Sequence, residues 1–230
     1  NKEYCITKGI ESYEIMYTEV GANENSQHGR NRRSSPLYSM LADKGGVHGT
    51  VAGYEKILWF KNKEINHETL TWTRSNIHKI AAEECKAVQN AAGIMDISGA
   101  AKFEIKGKDA QLFLDHLSCN KLPSKNGTLG LTLFHGNNGG ILTEQSITKI
   151  DDNLFYLVGP ILSEYSDQHW MNINSEEFVV EIINKTDSLS SILLTGPKSR
   201  EILQKLTTED LSNDAFPWLS CKTILVDSAL

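Results

Sequence analysis

The chain has 230 residues, which at about 100–200 residues per domain suggests one large domain or one domain with an appendage. Apolar residues make up 40% and charged residues 23%, as in a soluble globular protein with enough chain to bury a core. With 23 Lys and Arg against 29 Asp and Glu the net charge is −6, which argues against a dedicated nucleic-acid or anionic-membrane binder, and no apolar run approaches the about 18 residues of a membrane span. The first stretch, to about Phe60, is weakly patterned. Within it a helix is expected over 36–43, with Ser35 as N-cap, Pro36 at N1 and Gly45-Gly46 as the stop. After Trp59-Phe60 the composition turns polar, and a boundary is expected between 62 and 63. Ile77, Ile80, Ala81, Cys85, Val88 and Ala92 recur at helical steps, so a helix is expected over 75–92 with Gly93 as C′. Strands are expected at 94–98 and 102–106, then a helix at 108–117. The clearest hairpin runs from a strand at 129–134 through Asn137-Asn-Gly-Gly140 to a return strand at 141–150. Asp151-Asp-Asn153 turns the chain into a strand at 154–158. A helix around 163–171, strands at 178–183 and 192–195, and a helix at 197–206 follow. Hairpins outnumber βαβ crossovers, so the fold class is α+β with a mainly antiparallel sheet.

The ends carry two further expectations. Asn1 is not an initiator Met, and 223–230 reads as a strand and turn with no partner of its own. The chain is therefore expected to be a fragment of something longer. Cys5, Cys85, Cys119 and Cys221 form no CxxC pair and are expected to be buried thiols in a reducing compartment. The sequons at Asn126 and Asn184 are read as accidental.

Most chemical motifs fail. Gly196-Pro-Lys-Ser199 lies where a phosphate-binding loop would, but it lacks that loop's spacing and reads as a strand–helix turn. No GxGxxG dinucleotide fingerprint, HExxH pair or GxSxG elbow is present, so no metal site is expected. Arg30, Arg32 and Arg33 either meet a phosphate or carboxylate or lie in a solvated loop, the reading preferred here. In the return strand of the hairpin, period-two alternation sets Leu142, Glu144 and Ser146 on one face. A carboxylate on such a partly apolar face is either an edge charge or a site residue.

At this hairpin the sequence resembles the glycine-cleavage T-protein (aminomethyltransferase) family of tetrahydrofolate-binding proteins. Ala92-Gly-Ile-Met-Asp-Ile-Ser98, Lys102-Phe-Glu-Ile-Lys-Gly107, Asn126-Gly-Thr128, Asn138-Gly-Gly-Ile141 and Phe155-Tyr-Leu-Val158 occur in the family's order. The stretch from Leu194 to Ser212, together with Arg33-Ser-Ser-Pro-Leu-Tyr38 and Gly53-Tyr-Glu-Lys-Ile-Leu-Trp-Phe60, is similar to the dimethylglycine and sarcosine dehydrogenase branch. The resemblance implies that 1–62 is a connecting module and 63–230 the first part of a T-protein-like folate domain, truncated at its C-terminal end. It implies tetrahydrofolate as cofactor here and FAD in an absent N-terminal domain of the same parent chain. That flavin domain would oxidise an N-methyl amine, and the folate domain would capture the carbon as 5,10-methylenetetrahydrofolate. No nucleic acid or membrane partner is implied, and the compartment would be the mitochondrial matrix or a bacterial cytoplasm. The resemblance also implies that Glu144 stands where T-proteins have a catalytic Asp. Tyr156 matches a folate-contacting tyrosine, against the alternative of a core tyrosine, and Ser146 matches a small hydroxyl residue near the pterin. A turn centred on 151–152 is expected to pair 147 with 156 or nearby, so that Glu144 and Tyr156 bracket one ligand. The other reading is a non-catalytic relative resembling the regulatory subunit of pyruvate dehydrogenase phosphatase.

Overall fold

A computed structural model describes residues 2–19, 21 and 24–227. In chain order the elements are α1 (Lys2–Met16), α2 (Tyr38–Asp43), β1 (Gly46–Val51), β2 (Tyr54–Phe60), α3 (His78–Asn90), β3 (Gly93–Asp96), β4 (Ala101–Lys106) and α4 (Ala110–Leu117). Then come β5 (Thr128–His135), β6 (Ile141–Asp151), β7 (Leu154–Gly159), a short 3₁₀ turn (Ile161–Ser163), α5 (Glu164–Ile173), β8 (Glu181–Asn184), β9 (Ile192–Thr195) and α6 (Ser199–Gln204). Every ladder between these strands is antiparallel, in line with the α+β expectation. Among the described residues no helix is long and apolar enough to cross a membrane. The chain forms two compact units, 1–99 with 192–197 and 100–191 with 198–230.

The second unit is a five-stranded sheet in the order β5-β6-β7-β4-β8. Its strands alternate in burial because successive side chains point to opposite faces. Phe103, Ile105, Phe134, Ile147, Phe155 and Leu157 fill one face, against Phe113, Leu114 and Leu117 of α4 and Met171 of α5. Gly107 links β4 to α4 at φ +145°, and a Cβ there would lie 2.2 Å from the carbonyl oxygen of Val179. Only glycine satisfies both constraints. Strand β8 starts at Glu181 rather than at 178, because Phe178 packs on the core in a turn and the Val179 N–H donates to Asp109 Oδ2 at 2.9 Å. The strand expected over 223–230 does not form in its described part. Only Val226 makes a bridge, and 228–230 lie outside the described residues.

The first unit holds the β1–β2 hairpin, the β3–β9 pair and three helices. Several expectations change here. The weakly patterned start is a 15-residue helix, α1, whose only buried residue is Glu11. Ser35 does not cap α2, which begins after Leu37. Its hydroxyl accepts the Leu37 N–H and donates to Asp96. Gly93 is not a C′ residue; it opens β3, and Ala91 ends α3. The four cysteines are exposed, not buried. The buried stripe of α3 is narrow, with Ile80 as its one buried residue, and Cys85 falls off it. Arg30 is not solvated: it forks onto Glu55 at 2.9 and 2.6 Å, with Glu55 only 5% exposed.

Glu11 holds α1 to the segment that follows it. Its Oε1 accepts the backbone N–H groups of Gln27 at 2.7 Å and His28 at 3.1 Å, and its Oε2 accepts from Lys8 at 2.5 Å and Ser26 at 2.8 Å. Burial alone would raise this carboxyl, but the donors Lys8, Ser26, His28 and Gln27 outweigh it and hold the pKa at about 2, against an ordinary 4.5. A folded value below the unfolded one means a stability contribution that is present above pH 4.5 and lost as the pH falls towards 2. Glu11→Ala is expected to cost about 2–3 kcal/mol by leaving donors unpaired. In denaturant unfolding across pH 2–7 the variant should lose the acid-dependent part of this stability; an unchanged profile would contradict the assignment.

Candidate functional site

Strand β6 carries the candidate residues because its period-two pattern is split between two environments. Thr143, Gln145, Ile147 and Lys149 are buried on the helix-covered face, while Glu144 and Ser146 lie on the other. The ladders extend that second face across the sheet. Glu144 pairs with Leu133, Ser146 with Leu131 and Val158, and Thr148 with Leu129 and Tyr156. Tyr156 in turn pairs with Glu104 of β4. Directly opposed residues in an antiparallel ladder share a face, so Glu144, Ser146, Tyr156 and Glu104 stand on one side.

Two irregularities set this arrangement. The turn at Gly139 (φ +77°) opens the hairpin as expected, but the register shifts so that Phe134 pairs with Thr143 and His135 with Ile141. Leu142 is thus the bulged residue, not a regular member of the Glu144 row. A second shift, between Lys149 and Asp151, leaves Ile150 unpaired and sets Tyr156 opposite Thr148. The expected pairing with 147 is off by one, and that one residue decides the face. With 147 as partner, Tyr156 would have pointed into the core; with 148 it joins Glu144. It then lies four residues along, about 13 Å, and one strand, about 4.8 Å, across from Glu144.

The face is open only in part: Thr148 and, opposite Val158, the side chain of Lys102 are buried on it, while the end around Glu144 is exposed. Leu131 is 57% exposed, and Leu129, Leu133, Val158 and Ser146 are half-buried. Among the described residues the Glu144 carboxylate, the Ser146 hydroxyl and the Tyr156 hydroxyl have no hydrogen-bond partner. Burial, then the nearby Glu104 charge and Cys221, pushes the Tyr156 phenol up to about 12 from 10.0. It is therefore neutral near pH 7, able both to donate and to accept. Glu104 is partly balanced by Lys185 at 3.5 Å. A flat ligand with a polar edge suits this combination of apolar floor and unspent hydrogen-bonding groups. Sequence reasoning missed Glu104 and the leucine row, although the alternation in Leu129-Gly-Leu-Thr-Leu133 and Lys102-Phe-Glu-Ile-Lys106 carries both. Among the described residues no cluster of His, Cys, Asp and Glu could hold a metal ion. A concavity of about 810 Å³ in the first unit, lined by Lys8, Glu11, Arg30, His48 and Trp59 among others, includes none of the candidate residues.

Comparison with known proteins agrees with the fold. The chain is 32% identical over 228 residues to the mitochondrial dimethylglycine dehydrogenase of Rattus norvegicus, covering 97% of this chain and 26% of that protein. It is 40% identical over 187 residues to an aminomethyltransferase of Thermoanaerobacter sp. (strain X514), covering 81% of this chain and 46% of that protein. The chain thus spans between a quarter and a half of the length of these relatives. The crystal structure of the glycine cleavage system aminomethyltransferase T from Bartonella henselae has the same fold, with a TM-score of 0.63 at 20% identity over 76% of this chain and 44% of that one. The model of the GCVT N-terminal domain matches residues 37–229. The chain belongs to the GCVT N-terminal domain family.

Proposed function

We propose that this chain is the connecting and folate-binding part of a flavin-dependent dehydrogenase of N-methyl amines, with dimethylglycine or sarcosine as substrate. The observation that carries the site is the single sheet face on which Glu144, Ser146 and Tyr156 stand with unspent hydrogen-bonding groups. Its dehydrogenase branch is supported by alignment length. The match to dimethylglycine dehydrogenase covers 97% of the chain and so reaches well into the residues ahead of the family match at 37. Residues 1–62 would be the connecting module.

Tetrahydrofolate would supply the nitrogens that accept a one-carbon unit. The leucine row and the Tyr156 ring would hold its flat ring system, and the neutral Tyr156 and Ser146 hydroxyls would meet its polar edge. The Glu144 carboxylate would accept a proton as a nitrogen attacks, and would stabilise positive charge developing there. Glutamate is one methylene longer than the aspartate of T-proteins, so its carboxylate reaches further from the strand. The chain carries no dinucleotide fingerprint, and amine oxidation would belong to a flavin domain of the same parent chain.

In the full-length parent, Glu144→Gln should leave flavin reduction by the amine unchanged and lower the yield of 5,10-methylenetetrahydrofolate about 10²-fold, the scale of a positioned acid–base group. An unchanged yield would remove Glu144 from the reaction and leave the regulatory reading standing. Tyr156→Ala should weaken tetrahydrofolate binding by about 1–2 kcal/mol and Tyr156→Phe by less, measured by calorimetry on the same protein. Equal affinities for all three proteins would contradict a folate contact at this position.

A further inference from the structure

Glu144 lies on an overhanging part of β6. The ladder to β7 begins only at Ser146 opposite Val158, and Pro160, which has no N–H, follows the end of β7. From Thr143 to Gln145 the strand has β5 on one side and no strand on the other. The side chains flanking Glu144 replace that missing neighbour. Gln145 Nε2 donates to Asp167 Oδ2 at 2.6 Å, and Thr143 Oγ1 lies 3.3 Å from the same oxygen. Ser163 Oγ, at the end of the 3₁₀ turn, donates to it at 2.7 Å. Thr143, Gln145 and Asp167 are 6%, 1% and 3% exposed, so these bonds are made away from water.

The amide of Gln145 has one orientation in this cluster. Turning it over would set its oxygen against the Asp167 carboxylate, so Nε2 faces Asp167 although Oε1 is left buried without a partner. The space for this amide is supplied by Gly159, where a Cβ would lie 2.5 Å from Nε2. A buried carboxylate that accepts from both neighbours of Glu144, across a gap kept open by a glycine, fixes the backbone on either side of it.

We propose that Asp167 is the positioning residue for Glu144: from the opposite face of the sheet it clamps Thr143 and Gln145 and so holds the overhanging strand that presents the Glu144 carboxylate. This rests on the role read for Glu144 above, but the clamp itself has an independent readout.

The test uses the full-length protein with Asp167→Ala, Asp167→Asn and Thr143→Val, each also combined with Glu144→Gln. In Asp167→Ala, amide exchange at 143–145 should quicken about tenfold or more while 146–149 stays protected. Methylenetetrahydrofolate yield should fall about tenfold at unchanged flavin reduction, and Asp167→Asn, which keeps an acceptor, should recover most of the loss. In the Glu144→Gln background the same substitution should cause no further loss, since it acts through Glu144. If Asp167→Ala does not fold, Thr143→Val should give a smaller rise in exchange at the same residues. Unchanged exchange at 143–145 would overturn the clamp, and an equal fold loss in both backgrounds would overturn its link to Glu144. If Glu144→Gln alone has no effect, the reading of Glu144 fails while the exchange data still decide the clamp.

Discussion

The unpaired residue Ile150, between Lys149 and Asp151, sets which side chains of the sheet meet one another. A strand's two faces differ by one residue, so one residue added at a bulge exchanges the whole of the next strand between core and open side. With the bulge, Phe155 and Leu157 enter the core and Tyr156 joins Glu144, Ser146 and Glu104 outside. Without it, the aromatic and aliphatic residues of β7 would lie on the open face and the phenol would be buried. The cost of burying a phenol beside core phenylalanines, and of exposing Phe155, opposes that alternative. Packing of the core therefore enforces the geometry of the candidate site.

Both faces of β6 are used, for different ends. The buried face is partly polar, with Thr143 and Gln145 held by Asp167, whose carboxyl is raised by burial despite hydrogen bonds from Ser163, Thr143 and Gln145. A polar cluster inside a sheet is costly unless each group finds a partner, and it returns conformational definition where ladder bonds are missing. The other face is the reverse: apolar around the acid, with hydroxyls unspent.

The sequence was informative where the physical cause is local. The Asn-Gly hairpin, the strands around it and the α4 and α6 helices are where turn chemistry and periodicity predict them. Alternation alone puts Glu144 and Ser146 on one face, while their place as candidate site residues comes from the family resemblance. Tyr156 does not, because its face depends on a bulge that a turn-centred count cannot locate. Asp167 was not legible at all: a charged residue in the first turn of a helix looks like a solvated one until α5 is packed against β6. Helix α1 was missed because a helix burying only Glu11 has no apolar stripe to read. Arg30 was misjudged because its partner Glu55 lies 25 residues away, in a hairpin that was not foreseen.

In the proposed function the folate ring system binds over the face of β5, β6 and β7 that bears Glu144. The most direct measurement is a crystal structure of the full-length parent protein with tetrahydrofolate bound. The ring system is expected to lie over the leucine row, with Glu144 within hydrogen-bonding reach, about 2.7–3.2 Å, of one of its nitrogens and Tyr156 beside it. Folate bound elsewhere, with Glu144, Ser146 and Tyr156 all in solvent, would contradict it.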